Sequence, residues 1–203
     1  MTPHYKRASV WKVFGYWAFW IGVLFFTLYP LSNWFTAQRE DIYHLYLSSE
    51  LAIPFIPEFI WIYSSFYLLF ILPPFFLDEQ RLVRLGKVLV WGTVLSALIF
   101  LLFPAELGFE RVVPEGVYAH LYETLFSIDH PHNMAPSLHV IYSAAIIYAV
   151  FEATRSLWVR VAVTLWLFLI SLSTLFVHQH HLIDVVLGLV IVFLLYYFIP
   201  NRK

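Results

Sequence analysis

The chain has 203 residues, of which 61% are hydrophobic and 12% charged, with a formal net charge of −1 and no cysteine. Soluble domains are about half apolar and about a quarter charged, so this composition excludes an ordinary soluble domain and points to a single polytopic membrane domain over residues 1–203. The missing cysteines exclude disulfides and thiolate chemistry, and a net charge near zero gives no sign of a nucleic-acid partner.

Residues 1–7 are short and basic. The apolar run over 10–29 is longer than the core of a secretory signal and is followed by no small-residue cleavage site, so it reads as a first membrane helix. Residues 31–55 form a polar, aromatic connection containing Gln38, Arg39, Glu40 and Asp41, either an interfacial helix, a surface flap or a solvated loop. The uncharged run over 59–77 is long enough to span, with Pro73 and Pro74 expected to kink or end it. A charged loop leads to a third span over 88–105. The polar stretch 106–134 carries Arg111 and the run Asp129, His130, Pro131, His132, Asn133, with a short helix expected over 117–128. Spans four to six are expected over 135–151, 161–177 and 180–199, with Pro136 placed in the first turn of the fourth. The predicted fold class is therefore an all-α bundle of six membrane helices.

The cations divide by side. The termini and the loops after spans two and four hold Lys6, Arg7, Lys12, Arg81, Arg84, Lys87, Arg155, Arg160, Arg202 and Lys203, while the other side holds only Arg39 and Arg111. This asymmetry predicts cytoplasmic termini. All the histidines except His4 then lie on or near the extracytoplasmic side.

The most informative stretch is 173–184, where His178, His180, His181 and Asp184 interrupt two apolar runs. Ionisable groups at such a place are functional candidates by default. On a helix His180 and Asp184 would share a face about 6 Å apart, close enough for the carboxylate to orient the imidazole and stabilise its cation. About two crossings of about 20 residues separate His139 from His180, which brings Ser137 and His139 to the same membrane level. The inventory suits phosphoryl transfer: His180 as nucleophile, Asp184 as its orienting partner, His139 as general acid, and Arg111 and Ser137 as phosphate ligands. His178 and His181 are candidates for lining the pocket. Plainer roles stand beside these: Ser137 as a helix cap, Arg111 as an ordinary loop arginine, and Thr174 bonded to its own helix backbone. A metal site built from His178, His180, His181, Asp184, His130 and His132 is the rival chemistry, and a non-enzymatic membrane scaffold the third class.

Pro136-Ser137-Leu138-His139 resembles the second signature, P-S-x-H, of the type 2 phosphatidic acid phosphatase (PAP2) superfamily, and residues 173–184 resemble its third, S-R-x5-H-x3-D, with His180 in the nucleophile position. The third-signature arginine is Thr174 here, and the first signature, K-x6-R-P, keeps only Arg111. The resemblance implies a membrane enzyme that hydrolyses a lipid phosphomonoester through a phosphohistidine, with no cofactor or metal. Its partners would be a lipid-phosphate substrate and the bilayer. The relaxed signatures are also similar to those of inositol phosphorylceramide synthases, which implies headgroup transfer as the alternative. A bacterial inner membrane with a periplasmic site is the expected location.

Overall fold

A computed structural model describes residues 3–129 and 132–201, with side chains from Ala8 onward. Among these residues the regular structure is helical, and the pairings Tyr43–Ala105 and Ala105–Asn133 are isolated bridges. Helix α1 covers Pro3–Thr36. Three short helices follow, α2 (Ile60–Ser64), α3 (Phe66–Leu69) and α4 (Pro73–Phe76). The rest are α5 (Glu79–Leu102), α6 (Ala119–Ile128), α7 (Leu138–Ala153), α8 (Leu157–Phe176) and α9 (Leu182–Phe198).

By length and composition, Ala8–Thr36, Glu79–Leu102 and Leu157–Phe176 are long and apolar enough to cross a membrane. α7 and α9 are apolar but have 16 and 17 residues, about 24–26 Å against a hydrocarbon layer of about 30 Å. The run 59–77, expected to be kinked or ended at Pro73 and Pro74, is already broken into short helices before them. Leu68, Ile71, Leu72 and Phe75 donate their N–H groups three residues back rather than four, and Pro73 and Pro74 have none to donate. Right-handed helical dihedrals at Ser65, Phe70 and Leu72 still join the turns. Pro136 also differs from expectation. Ser137 is the N-cap of α7, so Pro136 lies before the helix, after a cis Ala135–Pro136 bond.

α7 is the centre of the bundle, packed by α5, α8 and α9. Val140, Ile141, Ala145, Ile146 and Val150 are fully enclosed, as a helix apolar on every side requires. Its Ser143, Ala144 and Ala149 let neighbouring helices approach closely. α9 comes nearest at Gly188, where a Cβ would lie 3.2 Å from the Ser137 carbonyl oxygen and the Val140 side chain. That approach sets the first turn of α9 beside the first turn of α7. Three polar side chains inside the bundle are paired with neighbouring helices or segments: Thr93 Oγ1 and Tyr142 OH lie 2.6 Å apart, Trp166 Nε1 donates to Ser65 Oγ at 2.8 Å, and Tyr196 OH donates to Ala145 O at 2.8 Å.

The end of the bundle that carries His139 and His180 is covered by residues 37–57, 103–129 and 132–137. The connection after α1 is thus a cover rather than an interfacial helix, tied by Tyr43 N to Pro104 O at 2.7 Å and by Ile56 N to Phe176 O at 2.9 Å. The opposite end is fastened by Arg84. Its guanidinium donates to Ile199 O (2.6 Å), Tyr196 O (2.8 Å) and Glu152 Oε2 (2.9 Å), satisfying the last carbonyls of α9.

Arg84→Ala leaves those carbonyls and Glu152 Oε2 without the guanidinium donor and is expected to cost about 1–3 kcal/mol. The check is the melting temperature in detergent. Arg84→Lys should recover little of the loss, because one ammonium cannot reproduce the planar fork.

Candidate active site

α8 ends in a Schellman turn. His178 N donates to Leu175 O at 3.1 Å, and Gln179 N to Thr174 O at 3.0 Å. The turn places His178 at φ 54°, a left-handed conformation that side chains disfavour and glycine usually fills. Two contacts hold the histidine there: Nε2 donates to Ile53 O at 2.9 Å, and the ring stacks on Phe109 with centroids 4.0 Å apart. Thr174 O also accepts from His180 N at 3.1 Å. Thr174 therefore positions the histidine segment through its backbone, while its Oγ1 donates to Ser171 O.

The chain then turns into α9, which begins at Leu182 with His181 as its N-cap. His180 lies before the helix, so the expected helical face does not exist. The contact with Asp184 is made instead across the helix start. His180 Nδ1 donates to Asp184 Oδ2 at 3.2 Å, which leaves the lone pair of the neutral ring on Nε2. The same oxygen accepts from His181 N at 2.8 Å. Both side chains are buried, at 5% and 2% exposure, where a carboxylate needs several donors to remain charged. The Asp184 carbonyl accepts from Ser137 N at 3.1 Å. This bond joins the two signature segments directly.

His139, in the first turn of α7, faces His180 with ring centroids 6.1 Å apart, within reach of one phosphoryl group between them. Its Nδ1 is hydrogen-bonded to Tyr63 OH at 3.2 Å, and its ring packs on Phe66. His139, His180 and Tyr63 line one end of a cavity of about 800 Å³, with Asp129 and Asn133 at its rim. The rim is laced to α1: Tyr29 OH donates to Asp129, and Asn133 Nδ2 donates to Tyr29 O at 3.1 Å and to Ser32 Oγ at 2.9 Å.

The other predicted residues lie outside that lining. Ser137 is fully buried, and its Oγ accepts from Val140 N at 3.4 Å as a helix cap. Arg111 is partly buried with its Cζ 5.0 Å over the Phe126 ring; burial lowers its pKa and the Asp129 carboxylate opposes that shift. Arg39 is committed to Asp41 and Leu101 O. His178 and His181 pack against the cover and do not line the cavity. His132 is partly buried in the cover, and His130 lies outside the described residues. Among the described residues no three metal-binding side chains come together.

Two residues were missed in the sequence. One is Tyr63, an unremarkable aromatic in an apolar run. The other is Glu50. It is buried, its Oε2 accepts from Leu182 N at 2.7 Å, and its Oε1 accepts from Leu47 N at 2.9 Å. Its Oε2 also lies 3.4 Å from His181 Nδ1. Gly108 N donates to His181 Nε2 at 3.1 Å, so the His181 proton sits on Nδ1, facing Glu50. Tyr46 and Phe109 sandwich the His181 ring at 4.4 and 4.5 Å. Glu50 thus anchors the start of α9, the part of the chain that carries Asp184.

Burial lowers the pKa of both His178 and His181; the Ile53 carbonyl opposes this for the first, and the Asp184 and Glu50 charges oppose it for the second. The unfolded chain therefore binds more protons than the folded one below the ordinary value of 6.5. The stability contributed by the two rings is complete above that value and is lost as pH falls from it toward the lowered folded values. Melting temperatures across this range should fall on acidification, and His181→Phe should flatten the slope while keeping the stack.

No curated protein matches the chain. The family model described as the PAP2 superfamily matches residues 34–198, a range that includes the cover, the Tyr63 segment and both histidine segments. Membership carries a phosphatase-type function on lipid phosphates in general. With the two signature segments bonded to each other and their histidines facing one cavity, the chain belongs to the PAP2 superfamily.

Proposed function

We propose that this protein is a single-domain integral membrane phosphatase that hydrolyses a lipid phosphomonoester through a phosphohistidine on His180. The observation that carries the reading is the pair His180 and His139 at one end of a largely apolar cavity. In the first step the His180 Nε2 lone pair attacks phosphorus as the ester P–O bond breaks. The leaving alkoxide takes a proton from protonated His139. The N–P bond places positive charge on the His180 ring, and the Asp184 carboxylate beside Nδ1 stabilises it. In the second step neutral His139 accepts a proton from water, the hydroxide oxygen attacks phosphorus, and the N–P electron pair returns to Nε2, releasing inorganic phosphate. Tyr63 holds the His139 ring through Nδ1 in both steps.

The lysine and arginine asymmetry supports cytoplasmic termini and an extracytoplasmic site, periplasmic if the membrane is a bacterial inner membrane. Phosphate release from detergent-solubilised lipid phosphates, measured in EDTA, tests the mechanism. His180→Ala should abolish release, and His139→Ala should lower it by about 10²–10⁴-fold. Full release by His180→Ala would overturn the phosphohistidine route. Headgroup exchange between added lipids without phosphate release would assign transfer to a lipid hydroxyl instead of water.

A further inference from the structure

The cavity extends far beyond the histidines. It runs along one face of α1, past Tyr29, Phe25, Gly22 and Ala18 to Trp17 and Phe14, and along Leu89, Gly86 and Leu82 of α5. From Tyr29 to Trp17 the rise is about 18 Å, a little more than one leaflet of hydrocarbon at about 15 Å. Its polar groups gather at the histidine end, and the remaining walls are apolar. Small residues on α1 keep it wide halfway down: a Cβ at Gly22 would meet nothing within 4 Å. Toward the far end Trp17 lines it together with Phe14, and the Trp17 ring lies across Gly86 so closely that a Cβ there would come within 2.1–2.5 Å of it. On one side the lining residues Phe26 and Tyr67 are exposed, giving a chain a way in from the bilayer.

We propose that this slot is a ruler for one alkyl chain of the substrate, with Trp17 seated on Gly86 as its floor. The inference rests on the phosphatase reading above, because the histidine pair fixes where the phosphate sits and hence where the chain begins. Each methylene that enters an apolar slot strengthens binding by about fourfold. A chain longer than the slot must displace Trp17, which Gly86 and its neighbours hold in place, or fold back on itself, and the gain stops.

The test compares octyl, dodecyl, octadecyl and docosyl phosphate as substrates, with binding of the same compounds followed by native mass spectrometry. In the wild type kcat/KM should rise from octyl to octadecyl phosphate and gain nothing at docosyl. Gly22→Leu fills the slot about 10 Å from Tyr29. It adds a better helix former where a Cβ has room, so the fold is retained. It should lower the octadecyl-to-octyl ratio of kcat/KM at least tenfold. Trp17→Ala should raise the docosyl-to-octadecyl ratio. A wild type indifferent to chain length, or a Gly22→Leu variant with the wild-type ratio, overturns the ruler. Absence of phosphate release from every compound, together with binding that still grows with chain length and loses that growth in Gly22→Leu, overturns the phosphatase reading and leaves the ruler standing.

Discussion

Asp184 is the constraint on which the histidine end depends. One carboxylate oxygen caps α9 through His181 N and orients His180 through Nδ1, while the backbone carbonyl of the same residue receives Ser137 N. A single residue thereby fixes a helix start, a side-chain tautomer and the register of α9 against α7. The positive end of the helix and two N–H donors offset the cost of burying the charge. A carboxylate in that position is already desolvated and aimed before any substrate arrives, which is the arrangement that stabilises a cationic ring at no further reorganisation cost.

The segment between α8 and α9 is short, and little of its geometry is intrinsic. It is held from three directions. Thr174 O gathers Gln179 N and His180 N from below. Phe109 sits between the rings of His178 and His181, and Glu50 accepts the first N–H of α9. The cover is therefore part of the site's support. His178 keeps its left-handed backbone because its ring has a stack and a carbonyl to bond, contacts that glycine would forfeit. Where the resemblance would place an arginine stands Thr174, and it still shapes the turn, since the acceptor is a backbone carbonyl that any residue would supply.

The two ends of the molecule divide the labour. At one, polar groups meet a cavity; at the other, Arg84 satisfies the end of α9 and holds it to α7 through Glu152. Between them α7 is mostly apolar and largely enclosed, so it can serve as a rigid post for His139. The broken segment α2–α4 and the long α1 stand apart around the slot. That separation is possible because small residues on α1 face it and because the 59–77 run bends where its proline pair withdraws two N–H donors.

The helical fold class and the position of most helices were legible in the sequence, because a long apolar run in a membrane chain has no other way to satisfy its backbone. The spacing of Ser137, His139, His180 and Asp184 likewise predicted which residues would meet, since that inference needs only helix length and alternating direction. The sequence did not reveal that α9 starts at Leu182 rather than at His180, that Ser137 Oγ is spent on a cap, or that Arg111 rests over Phe126. Glu50 and Tyr63 were invisible for a firmer reason. Their partners lie 132 and 76 residues away, and nothing local distinguishes a buried glutamate in a loop or one tyrosine among many aromatics. Periodicity and local propensity act within a few turns of chain. The contacts that complete the site, and the slot lined by α1, the α2–α4 segment and α5, exist only once distant segments have been packed together.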